Sequence, residues 1–588
     1  MEKCKLFVGL GSCGIAAGGQ AVYDFLKGTA NPAVAEVVTT SCVGMCFAEP
    51  LVEVVTGGNR MLYGSVNTEF AEKIWQGVRS GALPAENRVR ESAEGKAYLS
   101  KQVKVALRHC GIINPEEIGE YLASGGYEAL KKCLNRLKPA EVIDIVKESG
   151  LAGRGGAFFP TGMKWGFFAA SKPKTEGGHK YLVCNADEGD PGAFMDRAMI
   201  EGDPHGLIEG MLIAAYATGA DYGYVYCRAE YPLAIKRLKI AIREAEERRL
   251  LGDRILGTDF SFRLKIKEGA GAFVCGEETA LMASIMGRRG MPTLKPPFPA
   301  ESGIHESPTN INNVETYENV AFIISEGAAE FNKYAHNGTI GTKVFALAGK
   351  VKRAGLVEIP VGMTIRELVE EIGGGSSTGR PLKAVQMGGP SGGCIPERLF
   401  GTTIDVKSVT ATGAIMGSGG FIVMDDQTCM VDVAKYFLTF VQGESCGKCT
   451  FCRIGTKRML EILSRITAGK GAESDIALLE TLAGQIKKTS LCGLGQLAPN
   501  PVLTTLKYFR EEYLAHIRDK KCPAKVCKPL IRYEIRQDAC TGCGACAKGC
   551  PVKAISGEKK KAHVIDAGIC SRCGLCRETC KFNAIEVN

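Results

Sequence analysis

Cys540-Thr-Gly-Cys543-Gly-Ala-Cys546-Ala-Lys-Gly-Cys550-Pro551, near the end of the chain, is followed by a second copy, Cys570-Ser-Arg-Cys573-Gly-Leu-Cys576-Arg-Glu-Thr-Cys580-Lys581. Two-residue gaps let three thiolates of one loop reach three irons of a cubane, and the fourth ligand then comes from the other copy. The spacing therefore predicts one [4Fe–4S] cluster on Cys540, Cys543, Cys546 and Cys580, and a second on Cys570, Cys573, Cys576 and Cys550. Lys581 stands where a proline is usual, with little consequence for ligation. A pair of zinc ribbons is the competing reading, but zinc sites rarely use four-cysteine runs with this asymmetric ending.

Working back along the chain, Ser445-Cys446-Gly-Lys-Cys449-Thr-Phe-Cys452-Arg453 supplies three more closely spaced thiolates. Cys492, in Ser490-Leu-Cys492-Gly-Leu-Gly-Gln496, completes a third [4Fe–4S] set. Alone it would read as a buried structural cysteine, but three ligands need a fourth. His516-x5-Cys522-x4-Cys527, with Cys429, has zinc-like ligand types and would brace a helical domain against the tail. Ordinary cysteines in a basic linker are the equal alternative there.

The chain has 25 cysteines in 588 residues, clustered rather than spread as a disulfide framework, and no export signal precedes them, so metal ligation is the expectation. An apolar fraction of 45% and a charged fraction of 23% are those of a soluble globular protein. No apolar run approaches the ~20 residues of a membrane span. A cytoplasmic protein of about four domains, with no membrane contact, is expected. The formal charge of +9 invites a nucleic-acid reading. Each oxidised four-thiolate cluster carries about −2, however, and would offset most of that excess. The basic residues are scattered, apart from a run between Arg518 and Arg536, and no aromatic platform accompanies them, so no nucleic-acid partner is expected.

At the other end, residues 1 to about 82 read β-α-β, with strands at Lys5–Val8 and Ala35–Thr39 and a helix from Gly14 to Leu26. Val8-Gly9-Leu-Gly11-Ser-Cys13-Gly14 matches G-x-G-x-x-G, but the acid a dinucleotide site wants after the next strand is absent, and Thr39-Thr-Ser-Cys42 stands there. Cys13 with Cys42-x3-Cys46 resembles a thioredoxin-like [2Fe–2S] domain. Its usual first cysteine falls at Val8, so either Cys4 takes that place or the domain is degenerate and purely structural.

The middle of the chain alternates strands and helices in the manner of an α/β layer fold, with strands at Tyr181–Cys184 and Tyr224–Cys227 and a long amphipathic helix from Tyr231 to Leu251. Gly150-Leu-Ala-Gly153-Arg154-Gly155-Gly156-Ala-Phe158-Phe159-Pro160-Thr161-Gly162-Met-Lys164-Trp165 is glycine-dense where a helix should begin. Such a turn brings backbone N–H groups to a phosphate, and Arg154 and Lys164 add charge. Cys184-Asn185-Ala-Asp187-Glu188-Gly-Asp190 and Cys275-Gly276-Glu277-Glu278-Thr279 place amides and carboxylates at strand ends, where an α/β sheet holds its ligand. Lys295-Pro-Pro-Phe298-Pro and Thr309-Asn310-Ile-Asn312-Asn313 follow.

These motifs, in this order and with the Cys446–Cys492 set, resemble the NADH-binding flavoprotein subunit of respiratory complex I over residues 115 to 520. The added ends resemble the β subunit of NAD-linked, often electron-bifurcating, [FeFe]-hydrogenases and related formate dehydrogenases, and Asp187-Glu-Gly-Asp-Pro-Gly-Ala-Phe-Met-Asp196-Arg197 leans to that branch. The resemblance implies FMN contacts at Gly153, Arg154, Gly155, Lys164, Asn185, Asp187, Glu188, Gly276, Glu277, Asn312 and Asn313. It implies nicotinamide-nucleotide contacts at Phe159, Asp190, Glu278, Lys295 and Phe298; core packing would be the simpler account of either phenylalanine alone. A carboxylate such as Glu278 near the ribose repels a 2′-phosphate, favouring NAD(H) over NADP(H). The chain departs from the family at Ala152, where arginine is common, and at Phe158, where glycine is common and where an aromatic ring would narrow the flavin pocket.

The expected architecture is multidomain α/β and α+β. It comprises a thioredoxin-like domain (1–85), a polar linker (86–114), an FMN- and NAD-binding α/β domain (115–335), a small β-rich, ubiquitin-like domain (336–424), a helical [4Fe–4S] domain (425–520) and a 2[4Fe–4S] ferredoxin domain (521–588). The function implied is the diaphorase subunit of a bifurcating hydrogenase, with hydride transfer carried by FMN rather than by a catalytic side chain. Its implied partners are a catalytic hydrogenase-type or formate dehydrogenase-type subunit, a small thioredoxin-like [2Fe–2S] subunit and ferredoxin, in a multimer of heterotrimers. The same module in a formate dehydrogenase, a complex I module, and a non-catalytic electron relay or assembly scaffold are the alternatives.

Overall fold

The computed structural model describes residues 3–588. Its first sheet runs β2-β1-β3-β4, from β1 (Cys4–Gly9), β2 (Ala35–Thr40), β3 (Val52–Thr56) and β4 (Asn59–Tyr63). β1 and β2 are parallel, and the rest are antiparallel. The helix expected over 14–26 is two, Ser12–Ala16 and Gly19–Thr29, because Gly18 between them has a left-handed φ of 101°. The helix Thr68–Ser80 closes the layer, burying Phe70, Ile74 and Trp75 on one face and capped by Asn67, whose side chain accepts from Phe70 N.

The stretch expected to be a linker is instead a packed strap. Within it a helix, Ala93–Leu99, buries Tyr98, whose hydroxyl lies 2.8 Å from both Gly44 O and Leu356 O. Farther along, the backbone N–H groups of Val105, Ala106 and Leu107 all donate to the buried carboxylate of Glu358 at 2.9 Å. Polar composition suggested solvent, but the polar atoms here bind other polar atoms inside the protein.

The central layer is a parallel sheet, β7-β6-β5-β8, built from β5 (Tyr181–Ala186), β6 (Tyr222–Arg228), β7 (Arg263–Gly269) and β8 (Thr309–Asn313). Parallel strands are covered on both faces, and β5 is buried at every position but Asn185. One cover is the helix Pro204–Thr218, apolar almost all round and buried accordingly. Asp203 caps it through Gly206 N, Pro204 occupies its first turn, and Gly219 ends it at φ 71°.

A five-stranded mixed sheet follows, in spatial order Gly355–Pro360, Thr342–Gly349, Gly420–Asp425, Leu382–Met387, Gly393–Pro396. Its Thr342–Gly349 and Gly420–Asp425 strands are parallel and its other pairs antiparallel. Helices Met430–Gly443, Thr456–Thr467, Ser474–Thr489 and Asn500–Tyr508 then pack about Leu438, Met459, Leu463 and Leu479. The tail has two short antiparallel pairings, Tyr533–Ile535 with Ile585–Val587 and Ile555–Ser556 with Val564–Ile565, and two short helices, Ala545–Lys548 and Leu575–Thr579. No helix among the described residues is long and apolar enough to cross a membrane.

Candidate functional site

All strands of the central sheet point the same way, so their C-terminal ends share one edge, and Asn185 of β5 stands beside Asn313 of β8 there. The glycine loop reaches that edge: a Cβ on Gly155 would sit 3.1 Å from Asn313 Cβ. Asn185 Nδ2 donates to Gly276 O at 2.9 Å and its Oδ1 accepts from Asp187 N, joining β5 to the 3₁₀ turn Phe273–Gly276. Asp187 lies 8% exposed beside this junction, and neither carboxylate oxygen has a partner. Burial, only partly opposed by Arg228, pushes it up to about 7.

Lys164, from the helix Thr161–Ala170, donates to Ile311 O at 2.7 Å and stands 3.6 Å from Glu278, which also meets Lys295. Burial alone would raise Glu278, but the two ammoniums outweigh it and hold the carboxyl below its usual range. The bare repulsion of a 2′-phosphate expected from Glu278 is therefore moderated by Lys295. Phe159 and Phe298 are large apolar side chains left 47% and 55% exposed, which core packing does not explain.

Several expected contacts serve the scaffold. Glu277 caps the helix Glu278–Ile285, accepting from Thr279 N and Ala280 N. Glu188 accepts from the backbone N of Asp196 and Arg197 and takes the Tyr231 hydroxyl. Asn312 Oδ1 is shared by Trp165 Nε1 and Asn310 Nδ2. Asp190 accepts from Ser418 Oγ at 2.7 Å, fastening the sheet edge to the β-rich module. Arg154 corrects the sequence reading outright: its guanidinium donates to the carbonyls of Ala152, Ile340 and Thr342, so its charge braces backbone instead of facing a phosphate. Of the glycines expected at the flavin, Gly155 alone leaves no easy room for a Cβ, which would sit 3.1 Å from Asn313 Cβ; at Gly153 and Gly276 the nearest atoms would be 3.7 and 3.5 Å away. At Phe158 the backbone φ is 52°, a left-handed conformation that glycine adopts most easily, and its ring packs with the β-rich core instead of narrowing the cradle.

The cysteine quartets come together as the spacing implied. Cys446, Cys449, Cys452 and Cys492 line one pocket, whose wall also includes Val274 and Pro292. Cys550, Cys570, Cys573 and Cys576 line a second. Cys540, Cys543, Cys546 and Cys580 line a third, so each tail set draws its fourth cysteine from the opposite copy.

Cys429, His516, Cys522 and Cys527 are all buried, with their ligand atoms within 4.8 Å of one another. Cys429 Sγ lies 3.4 Å from His516 Nε2 and 3.8 Å from Cys527 Sγ, and His516 Nε2 is 3.3 Å from Cys527 Sγ. A tetrahedral ion with sulfur at about 2.3 Å requires edges of roughly 3.8 Å between sulfurs, close to these values. His516 Nδ1 sits 2.7 Å from Glu512 O, which turns Nε2 toward the thiols.

In the N-terminal sheet Cys46 Sγ is 3.7 Å from Cys13 Sγ and 3.8 Å from Cys42 Sγ. Cys4 does not join them. It opens β1 opposite Ala35, whereas Cys42 follows Thr40, opposite Gly9, so five strand rises of about 3.3 Å, roughly 16 Å, intervene. Two residues not expected at this site do reach it: Arg197, whose Nη2 is 3.9 Å from Cys13 Sγ, and Glu49.

Comparison with known proteins matches residues 146–322 to the Nuo51 FMN-binding domain and 432–516 to the NADH-ubiquinone oxidoreductase-F iron-sulfur binding region. Residues 344–395 match the SLBB domain and 533–584 a 4Fe-4S dicluster domain. The chain is 56% identical to the NADP-reducing hydrogenase subunit HndC of Solidesulfovibrio fructosivorans, over 79% of this chain and 93% of that one. It is 48% identical to an F-type subunit of the NADH-quinone oxidoreductase of Rhizobium meliloti, over 71% and 99%. Among solved structures it is similar to an NAD+-reducing [NiFe]-hydrogenase in the H2-reduced state, with a TM-score of 0.62 at 27% identity, covering 88% of this chain and 84% of that one.

Proposed function

The chain belongs to the family of NAD(P)H-oxidising flavoprotein subunits that includes HndC and the F-type subunits of NADH-quinone oxidoreductase, and we propose that it is the diaphorase subunit of a multi-subunit, electron-bifurcating [FeFe]-hydrogenase. The observation that carries this reading is the position of Val274. It lies in the turn that presents Gly276 to the cradle, and it is also a wall of the cavity that Cys446, Cys449, Cys452 and Cys492 line. One turn of backbone thus separates the proposed flavin cradle from the four-cysteine pocket.

The residues present fit FMN. The two oxygens of Asp187 are buried and unpartnered, and the glycine loop lets backbone N–H groups approach a phosphate. When bound, FMN exchanges a hydride with the nicotinamide and single electrons with the clusters. Around it the chain binds and orients. Lys164 and Asn185 fix the sheet edge, Lys295 and Glu278 meet the nucleotide's ribose or phosphate, and Phe159 and Phe298 offer ring faces to its bases. Asp187, its carboxyl pushed up to about 7 by burial, exchanges a proton near neutral pH within the cradle.

Redox sites approach the cradle from two sides, which supports branching. The Cys446 set reaches it through Val274, and the Cys13 site through Arg197, whose backbone N donates to Glu188. The modules proposed are 1–85, 115–335, 336–424, 425–520 and 521–588, with 86–114 serving as a strap. The cofactors proposed are FMN, NAD(H), three [4Fe–4S] clusters, a [2Fe–2S] cluster at Cys13, Cys42 and Cys46, and zinc at Cys429, His516, Cys522 and Cys527. The partners proposed are a hydrogenase-type catalytic subunit, which the name of HndC supports, a small [2Fe–2S] subunit and ferredoxin, assembled in the cytoplasm as heterotrimers.

Purification with its partner subunits, followed by assay of hydrogen and of formate with each pyridine nucleotide, tests the reading. Hydrogen-dependent NAD+ reduction that requires oxidised ferredoxin is expected. Full-rate reduction without ferredoxin would remove bifurcation, and formate activity would move the chain to the dehydrogenase branch.

A further inference from the structure

The N-terminal site is one ligand short. A [2Fe–2S] cluster takes four protein ligands, and only Cys13, Cys42 and Cys46 converge. Cys4 is excluded by its place at the far end of β1. Val8, where residue counting put the missing cysteine, faces the wrong way: it shares the core face of the strand with Cys4 and Leu6 and is fully buried there.

The next residue, Gly9, stands on the other face of the pleat. A Cβ on it would lie 3.4 Å from Glu49 Oε2, and one on Gly14 would lie 3.2 Å from the same oxygen. Two positions without side chains thus leave room that the Glu49 carboxylate enters. Glu49 follows the 3₁₀ turn Cys46–Ala48, which fixes its place beside Cys46. Its Oε2 accepts from Leu51 N at 3.0 Å, while Oε1 is buried with no hydrogen-bond partner. A buried acceptor left unpaired is costly, more so for a charged group, unless a ligand engages it.

We propose that Glu49 is the fourth ligand of the N-terminal centre, so that a [2Fe–2S] cluster is held by Cys13, Cys42, Cys46 and the Glu49 carboxylate. The proposal rests on the assignment of such a cluster to this site under Proposed function. Gly44 N donates to Cys42 Sγ at 3.2 Å and Arg197 approaches Cys13, so the thiolates also have N–H donors to support their charge. Glu49 lies three residues after Cys46, and its Oε2 lies 3.2 Å from where a Cβ on Gly14, the neighbour of Cys13, would sit.

The full chain carries the test, with iron per chain and electron paramagnetic resonance of the reduced protein as readouts. The signal that survives at temperatures where cubane signals have broadened reports the two-iron cluster. Wild type is expected to show that signal and about two iron atoms beyond the twelve of three cubanes. Glu49→Ala is expected to lose both while keeping flavin and cubane iron, which serve as the check on folding. Gly9→Cys in the Glu49→Ala background is expected to restore them, because residue 9 faces the same space. An unchanged signal and iron count in Glu49→Ala overturns the ligand assignment. A wild-type chain with full flavin and cubanes but no two-iron signal overturns the cluster itself, and with it this proposal.

Discussion

Lys343 and Glu315 form an ion pair in the interior, with side chains 1% and 2% exposed, where the β-rich module meets the helix that follows β8. Glu315 also accepts from Val344 N at 3.0 Å, and Lys343 donates to Val344 O. The pair joins the two modules two residues from Asn313 of the cradle. Removing one partner of such a pair leaves a buried charge, at a cost of about 3–5 kcal/mol. Lys343→Met should therefore lower the melting temperature sharply and loosen FMN, and adding Glu315→Leu should recover part of the loss. A Lys343→Met chain melting with wild type would show that the pair does not join the modules.

Cys492→Ala should remove about four iron atoms per chain, the content of one cubane. Flavin should remain and should still be reduced by NADH, while NADH-dependent reduction of the tail clusters should fail. Stopped-flow spectra at flavin and cluster wavelengths separate the two steps. Tail clusters reduced at the wild-type rate would mean that electrons bypass the Cys446 site.

Glu278→Gln removes the carboxylate that Lys164 meets and the nearer of the two that Lys295 meets, Glu277 remaining at 3.7 Å. The ratio of kcat/KM for NADPH to that for NADH should then rise by up to about fivefold, the scale of one partly exposed charge interaction of about 1 kcal/mol. An unchanged ratio would place the ribose elsewhere.

Asp187 is raised from 3.8 to about 7. Because the folded value exceeds the unfolded one, the folded protein binds this proton more tightly. Its contribution to stability is full below about pH 4, declines as pH rises to about 7, and is constant above, for a total on the order of 4 kcal/mol. Asp187→Asn has no such proton. The thermal midpoint of the flavin-stripped variant should therefore gain on wild type between pH 5 and pH 8. Parallel curves would mean that the carboxyl is not desolvated as its burial implies.

Purified chain should hold about one zinc in addition to iron, and His516→Ala should lower it to under half an equivalent. Limited proteolysis of that variant should cut faster near 520–535, where Cys522 and Cys527 hold the start of the tail. Iron-only protein would remove the zinc assignment.

What could be read without tertiary structure was the chemistry that local spacing dictates. Gaps of two residues set three cysteines on one loop, and the internal repeat told which distant cysteine completes each tail set, so Cys580 and Cys550 were assignable. The order of glycine loop, acid-bearing strand ends and asparagines carried the family resemblance that implied the cradle, and polar groups at the C-terminal ends of parallel strands agree with it. Distance between segments decided the rest. Arg154 looked like a phosphate ligand until Ile340 and Thr342 arrived beside it. Residues 86–114 looked solvated until Glu358 and Gly44 took their polar atoms. Cys4 and Glu49 exchanged places as ligand candidates once the pleat of β1 had set which residues face the thiols. A sequence states each residue's chemistry and its neighbours along the chain; which unpaired donor or acceptor it must satisfy across the fold is settled only when long-range packing closes around it.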